Sequence, residues 1–145
     1  MITMKSCNTS LLLLCKYKWG GTMEIKKLVI HGINIAVIKN DKVLISDVQT
    51  ALDLMATVQY EVDSKHIIID KSLISDSFFD LKTRLAGDIL QKFINYRVKI
   101  AIIGDFSMYT SKSLKDFIYE CNKGKDIFYL ATEQQAVEKL STLKQ

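Results

Sequence analysis

Two short runs, HIIID at His66 to Asp70 and KIAIIG at Lys99 to Gly104, constrain the fold of this chain more than anything else in it. Each is apolar through its middle rather than alternating, which is the pattern of a strand covered on both faces. Between them lies a segment with helical spacing: Phe78, Leu81, Leu85, Ile89, Phe93 and Tyr96 fall on one face. A buried strand, an amphipathic helix and a second buried strand make a crossover unit, which closes right-handed onto a parallel sheet.

The same reading extends in both directions. Leu28 to Ile30 and Ile33 to Ile38 are β-branched runs separated by His31-Gly32, a tight-turn pair, and Asn40-Asp41 is a second turn signal before Val43 to Ile45, which is expected to extend the sheet. Ser46-Asp47-Val48-Gln49 reads as a capping box opening a helix that carries Val48, Ala51, Leu52, Met55 and Val58 and runs to about Val58. Leu114, Phe117, Ile118 and Cys121 mark a third helix ended by Gly124. Ile127 to Leu130 is a last strand, and Thr132 to Gln135 caps a fourth helix bearing Ala136, Val137, Leu140 and Leu143. The expectation is a single α/β domain with a mixed, mostly parallel sheet, an N-terminal antiparallel strand pair and about four helices, the helix from Ser77 to Tyr96 being the longest.

With 145 residues, no proline and only six glycines, the chain has room for one core and no linker-like stretch that would divide it. Residues 1–22 stand apart. They hold no acid and three of the 20 basic residues, so from Met23 onward 17 bases face 16 acids. That near-neutral body lacks the one-sided basic stripe that phosphate backbones require, which argues against nucleic acid. Leu11 to Leu14 is far shorter than the roughly 20 residues of a membrane span and no cleavage pattern follows it. Trp19-Gly20-Gly21-Thr22-Met23 is necessarily encoded by a purine-rich, GG-bearing stretch just ahead of an ATG, as at a bacterial ribosome-binding site. Translation from Met23 is therefore expected, with residues 1–22 a non-native extension and 23–143 the domain. Three cysteines without paired short spacings fit neither a zinc site nor a disulfide framework and suit a reducing cytoplasm.

Candidate functional residues gather after the strands, where open α/β sheets collect ligands and partners. Ser77 suits a helix cap worth about 1 kcal/mol, with Asp80 as its box partner. Ser75, with Ser77 a candidate for a phosphorylation switch, and Asp76 lie beside it, and Phe78 and Phe79 follow as either core or contact surface, the latter allowing a homodimer that buries them. Asp80, Arg84, Asp88, Gln91 and Asn95 run down one helical face as a solvated stripe laced by i,i+4 ion pairs; in the functional alternative Asp80 and Arg84 join Asp105 in a polar pocket, Arg84 gripping an anion. Asp70 and Asp105, each following a buried strand, are the carboxylates a small enzyme or small-molecule binder would use. His31 and His66 have no partner at ligand spacing, so no metal or cofactor is expected. No glycine-rich phosphate loop, Ser-His-Asp order or nucleophile elbow occurs, and Cys121 falls on an apolar helix face, so the case for an enzyme is thin.

The order of elements is similar to that of the STAS domain of bacterial anti-sigma factor antagonists. HIIID leading to Asp76-Ser77, and the run GKDIFYLATEQQAVEKL, carry that likeness. It implies a cytoplasmic regulatory domain that meets a protein partner, with Ser77 as the site a partner kinase would phosphorylate; Phe78 and Phe79 stand where the antagonists have a small serine and glycine. A longer resemblance, over Met23 to about Leu143, is to the bacterial domain of unknown function 4180, carried by FFDLKTRLAGDILQKFINYRVKIAIIGDF and KDFIYECNKG. That family implies no activity.

Overall fold

A computed structural model describes residues 17–19 and 23–142. Among them are three successive strands, after which four α-helices alternate with three more strands. The strands are β1 (Tyr17–Trp19), β2 (Met23–Ile30), β3 (Ile33–Lys39), β4 (His66–Asp70), β5 (Lys99–Ile103) and β6 (Ile127–Leu130). The helices are α1 (Val48–Val62), α2 (Leu85–Asn95), α3 (Lys112–Lys123) and α4 (Glu133–Thr142). Leu143 and most of the N-terminal extension lie outside the described residues.

The sheet keeps sequence order, β1 to β6, antiparallel through β3 and parallel from β3 onward. The mixed, mostly parallel α/β architecture with its antiparallel N-terminal pair and four helices is thus as expected. His31 and Gly32 both take positive φ, 53° and 78°, as a two-residue hairpin turn demands. Because each parallel step moves the same way across the sheet, right-handed crossovers put α1, α2 and α3 on one face. The cores agree: Ile67, Ile69, Ile100 and Ile102 pack with residues of those three helices, whereas Ile68, Ala101 and Phe128 pack with Ala136 and Leu140 of α4 on the other face. Both sides of β4 and β5 are covered, which is why their sequences do not alternate. Glu133 ties α4 to the sheet by ion pairs with Lys26 (3.0 Å) and Lys39 (3.1 Å).

Four expectations need correction. The cap of α1 is Asp47 with Thr50, one residue later than the predicted box, and the helix continues to Val62. At 15 residues α1 is the longest helix, not α2 with 11. Val43 to Ile45 form no strand; Ile45 makes a single parallel bridge to Ile74. The stretch from Ser77 is not the mouth of a long helix either: two 3₁₀ turns, Asp76–Phe79 and Leu81–Thr83, precede α2, and Arg84 between them and the helix sits in the left-handed region at φ 62°. A 3₁₀ turn repeats every three residues and an α-turn every 3.6, so Phe78, Leu81 and Leu85 keep one face through both geometries.

Candidate functional site

The site is built at the carboxyl ends of β4 and β5, from three segments that the core holds in place. The first is the connection from β4 to α2. Its opening 3₁₀ turn, Lys71–Leu73, is capped by Asp70, whose carboxylate accepts from the Ser72 amide at 2.9 Å. Ser75 Oγ accepts from the Ser77 amide (3.3 Å) and Asp80 from the Lys82 amide (3.1 Å), so each successive turn has its own side-chain cap. The Thr83 hydroxyl lies 2.7 Å from the Ser77 carbonyl and 2.8 Å from that of Asp80. Beneath this polar outer layer, Leu73, Ile74, Phe78 and Phe79 are buried. Hydrophobic anchors below and local caps above make a preformed loop.

Residues 43–46 form the second segment, laid along the first: the amides of Leu44 and Ile45 both reach the Leu73 carbonyl, and the Ser75 amide reaches that of Ile45. The third segment follows β5. Gly104 takes φ 152°, and a Cβ there would fall 2.8 Å from Lys71 Cγ. Glycine at this position thus lets the Lys71 stem cross the backbone. The Lys71 ammonium then donates to the Asp105 carbonyl (2.6 Å) and the Met108 sulfur (2.9 Å), above the rings of Phe106 (5.8 Å) and Tyr109 (5.1 Å). Phe79 stacks on Tyr109 at 5.3 Å, Phe106 stands edge-on to Tyr129 at 5.4 Å, and Phe78 meets Phe79 edge-on at 5.1 Å. Of these rings Tyr109 reaches the site, where it forms part of the floor.

Over that floor opens a cleft of about 570 Å³, lined by Val43, Ser46, Lys71, Ser72, Ile74, Ser75, Asp76, Met108 and Tyr109. Its rim carries exposed apolar groups, Met108 at 66% and Val43 at 50%. Burial first, and then the charge of Asp76, push the Tyr109 phenol above its ordinary range. Asp105 is held below the usual carboxylate range by the Ser107 hydroxyl (2.6 Å) and then the Ser107 amide (2.9 Å). A second cleft, about 580 Å³, lies at the opposite end of the sheet between α1 and α2, lined mainly by Leu52, Met55, Ala56, Tyr96 and Val98.

The structure brings together part of what the sequence singled out. Asp76 and Ser75 line the cleft, and Ser77 is exposed beside them. Ser75, not Ser77, is the capping residue, and Asp80 serves its own turn rather than closing a box with Ser77. Phe78 and Phe79 are 2% and 6% exposed, so they are core and cannot be a dimer surface. The polar pocket of Asp80, Arg84 and Asp105 is not assembled: Arg84 is exposed with no side-chain partner among the described residues, and the cation beside Asp105 is Lys71. With Asp80 and Arg84 outside any α-helix, the expected ion pairs from Asp80 through Arg84 to Asp88 do not form either; only Gln91 and Asn95 bond at 2.9 Å. Asp70 and Asp105 sit at neighbouring strand ends, each occupied as a local cap. Among the described residues no three His, Cys, Asp or Glu side chains gather.

Lys71, Met108 and Val43 were not singled out from the sequence. Gly104 directly after a buried strand was the available signal, since a glycine there invites close approach of another side chain. Among the described residues no helix is long and apolar enough to cross a membrane. The family model described as Domain of unknown function (DUF4180) matches residues 30–140. No curated protein and no solved structure matches the chain.

Proposed function

The chain belongs to the DUF4180 family, and from that premise we propose that it is a bacterial, cytoplasmic interaction domain of STAS-like design, which regulates by presenting the carboxyl end of its sheet to a protein partner. The observation that carries this reading is the composition of the preformed cleft. A fixed ammonium, three serine hydroxyls and Asp76 lie between the half-exposed Val43 and the more exposed Met108, with the Tyr109 ring beneath the ammonium. Methionine at a rim adapts to varied apolar partners, and the caps that order the loop are satisfied before anything binds, which lowers the entropic cost of association.

Support for the STAS-like reading comes from the antiparallel pair leading into sequential parallel strands and from the exposed Asp76-Ser77 step after β4. A switch, on this reading, acts at Ser77. Its hydroxyl caps nothing among the described residues, so a phosphoryl group there would leave the Ser75 cap intact while adding charge to the face. A photo-crosslinking residue at Met108, compared in the native cell with one at Tyr60 on the outer side of α1, tests the proposal. A partner captured at Met108 and not at Tyr60, and lost in Val43→Asp, is expected. Capture of the same proteins from both positions, or none from Met108, would refute it.

A further inference from the structure

The sheet has two edges, and they are finished differently. At β6 the Asn122 side chain takes both outward backbone groups of Tyr129, accepting from its amide at 2.7 Å and donating to its carbonyl at 3.2 Å. One amide side chain thus stands in for a further strand at Tyr129. At the other edge, among the described residues, β1 covers β2 over Met23–Ile25, pairing Tyr17 with Ile25 and Trp19 with Met23.

The hairpin turn sets the phase of what remains. Ile30 and Ile33 flank the two-residue turn and pair directly, so Ile30, Leu28 and Lys26 turn their amides and carbonyls toward β3. Alternate residues, Ile25, Lys27 and Val29, turn theirs to the edge. β1 accounts for Ile25; the outward groups of Lys27 and Val29 bond to no described residue.

We propose that the β2 edge is a strand-addition site for which residues 17–19 and the β2 strand of a second copy compete. With β1 displaced or untranslated, two copies of β2 pair antiparallel about a two-fold axis, Ile25 opposite Lys27 of the other copy and Met23 opposite Val29. That register satisfies every outward amide and carbonyl from Met23 to Val29 and keeps the two Lys27 side chains apart. Lys26 falls on the axis and carries its own counter-charge, Glu133 at 3.0 Å. The edge already accepts an antiparallel strand from β1 at Met23 and Ile25, the residues at one end of this pairing. A chain beginning at Met23 bares it along its whole length.

The test compares the 145-residue chain with one starting at Met23 by light scattering after size exclusion over a range of concentrations. The short chain is expected to dimerise where the full chain stays monomeric. Val29→Pro in the short chain, which removes an outward amide and no β2–β3 hydrogen bond, is expected to restore the monomer. Should that variant fail to fold, Lys26→Cys decides: across the axis the two introduced thiols face each other at disulfide distance, and a disulfide dimer absent from the parent should form under mild oxidation. Equal oligomeric state of the two chains overturns the proposal. So does a short-chain dimer that survives Val29→Pro in folded protein, or one in which Lys26→Cys gives no cross-link.

Discussion

Replacing Asn122 by alanine removes the clamp on the β6 edge, and the structure allows the cost to be worked out. Two hydrogen bonds are lost, at 2.7 and 3.2 Å, both to the backbone of Tyr129, a residue 4% exposed. At about 1 kcal/mol net for each bond the gross loss is about 2 kcal/mol. Asn122 lies in the last turn of α3, where alanine's better helix propensity returns roughly 0.5 kcal/mol. A net destabilisation of about 1.5 kcal/mol follows, lowering the melting temperature by roughly 3–6 °C in a domain of this size. Urea denaturation measures it, and the slope should not change, since the variant alters stability and not the surface exposed on unfolding. Asn122→Asp keeps the acceptor for the Tyr129 amide but sets a carboxylate against the Tyr129 carbonyl, so it should fall at least as far as alanine. An alanine variant within about 0.3 kcal/mol of the parent would refute the clamp, because even one net hydrogen bond is worth more than that.

Phe79→Ala should cost about 3–5 kcal/mol as a buried aromatic truncation, and amide exchange in the 71–84 and 104–111 loops should rise together because Phe79 meets Phe78 edge-on and stacks on Tyr109; a rise in one loop only would separate them. Gly104→Ala places a Cβ 2.8 Å from Lys71 Cγ in a backbone conformation at φ 152°, and a loss of about 1–3 kcal/mol in urea melts is expected; unaltered stability would contradict the close approach. The carboxyl of Glu133 is raised by burial, but hydrogen bonds from Lys26 and Lys39, with their charges, outweigh this and hold it below its ordinary value of 4.5. Its contribution is therefore complete above that value and lost as pH falls through the lowered one. Glu133→Gln should be less stable than the parent at neutral pH, with the gap closing on acidification below 4.5; a gap independent of pH would sink the assignment.

How far the sequence carried this reading depended on which signal each element leaves. The buried strands β4 and β5 were legible because only double-sided burial yields runs such as HIIID and KIAII. The hairpin was legible because His31-Gly32 supplies the positive φ values the turn needs. The start of α2 was not, because apolar spacing cannot separate 3₁₀ from α geometry over a few residues, and a left-handed arginine at 84 leaves no mark in composition. The same misreading made Ser77 a cap and set Arg84 toward Asp105. Adjacent phenylalanines at a turn suit core and contact surface equally in sequence, and burial in three dimensions makes Phe78 and Phe79 core. The role of Lys71 leaves no local mark because its partners, the Asp105 carbonyl and the Tyr109 ring, lie on another loop, and that of Asn122 leaves none because its partner is the backbone of Tyr129 on the next strand.

The carboxyl end of the sheet is the surface we propose to face the partner. Amide exchange measured on the protein alone and in complex with the partner captured through Met108 tests it most directly. Protection confined to residues 43–46, 71–77 and 105–110, with α4 and the groove between α1 and α2 unchanged, is the predicted result. Protection centred on that opposite groove, around Met55 and Tyr96, with the Lys71 cleft exchanging as in the free protein, would contradict it.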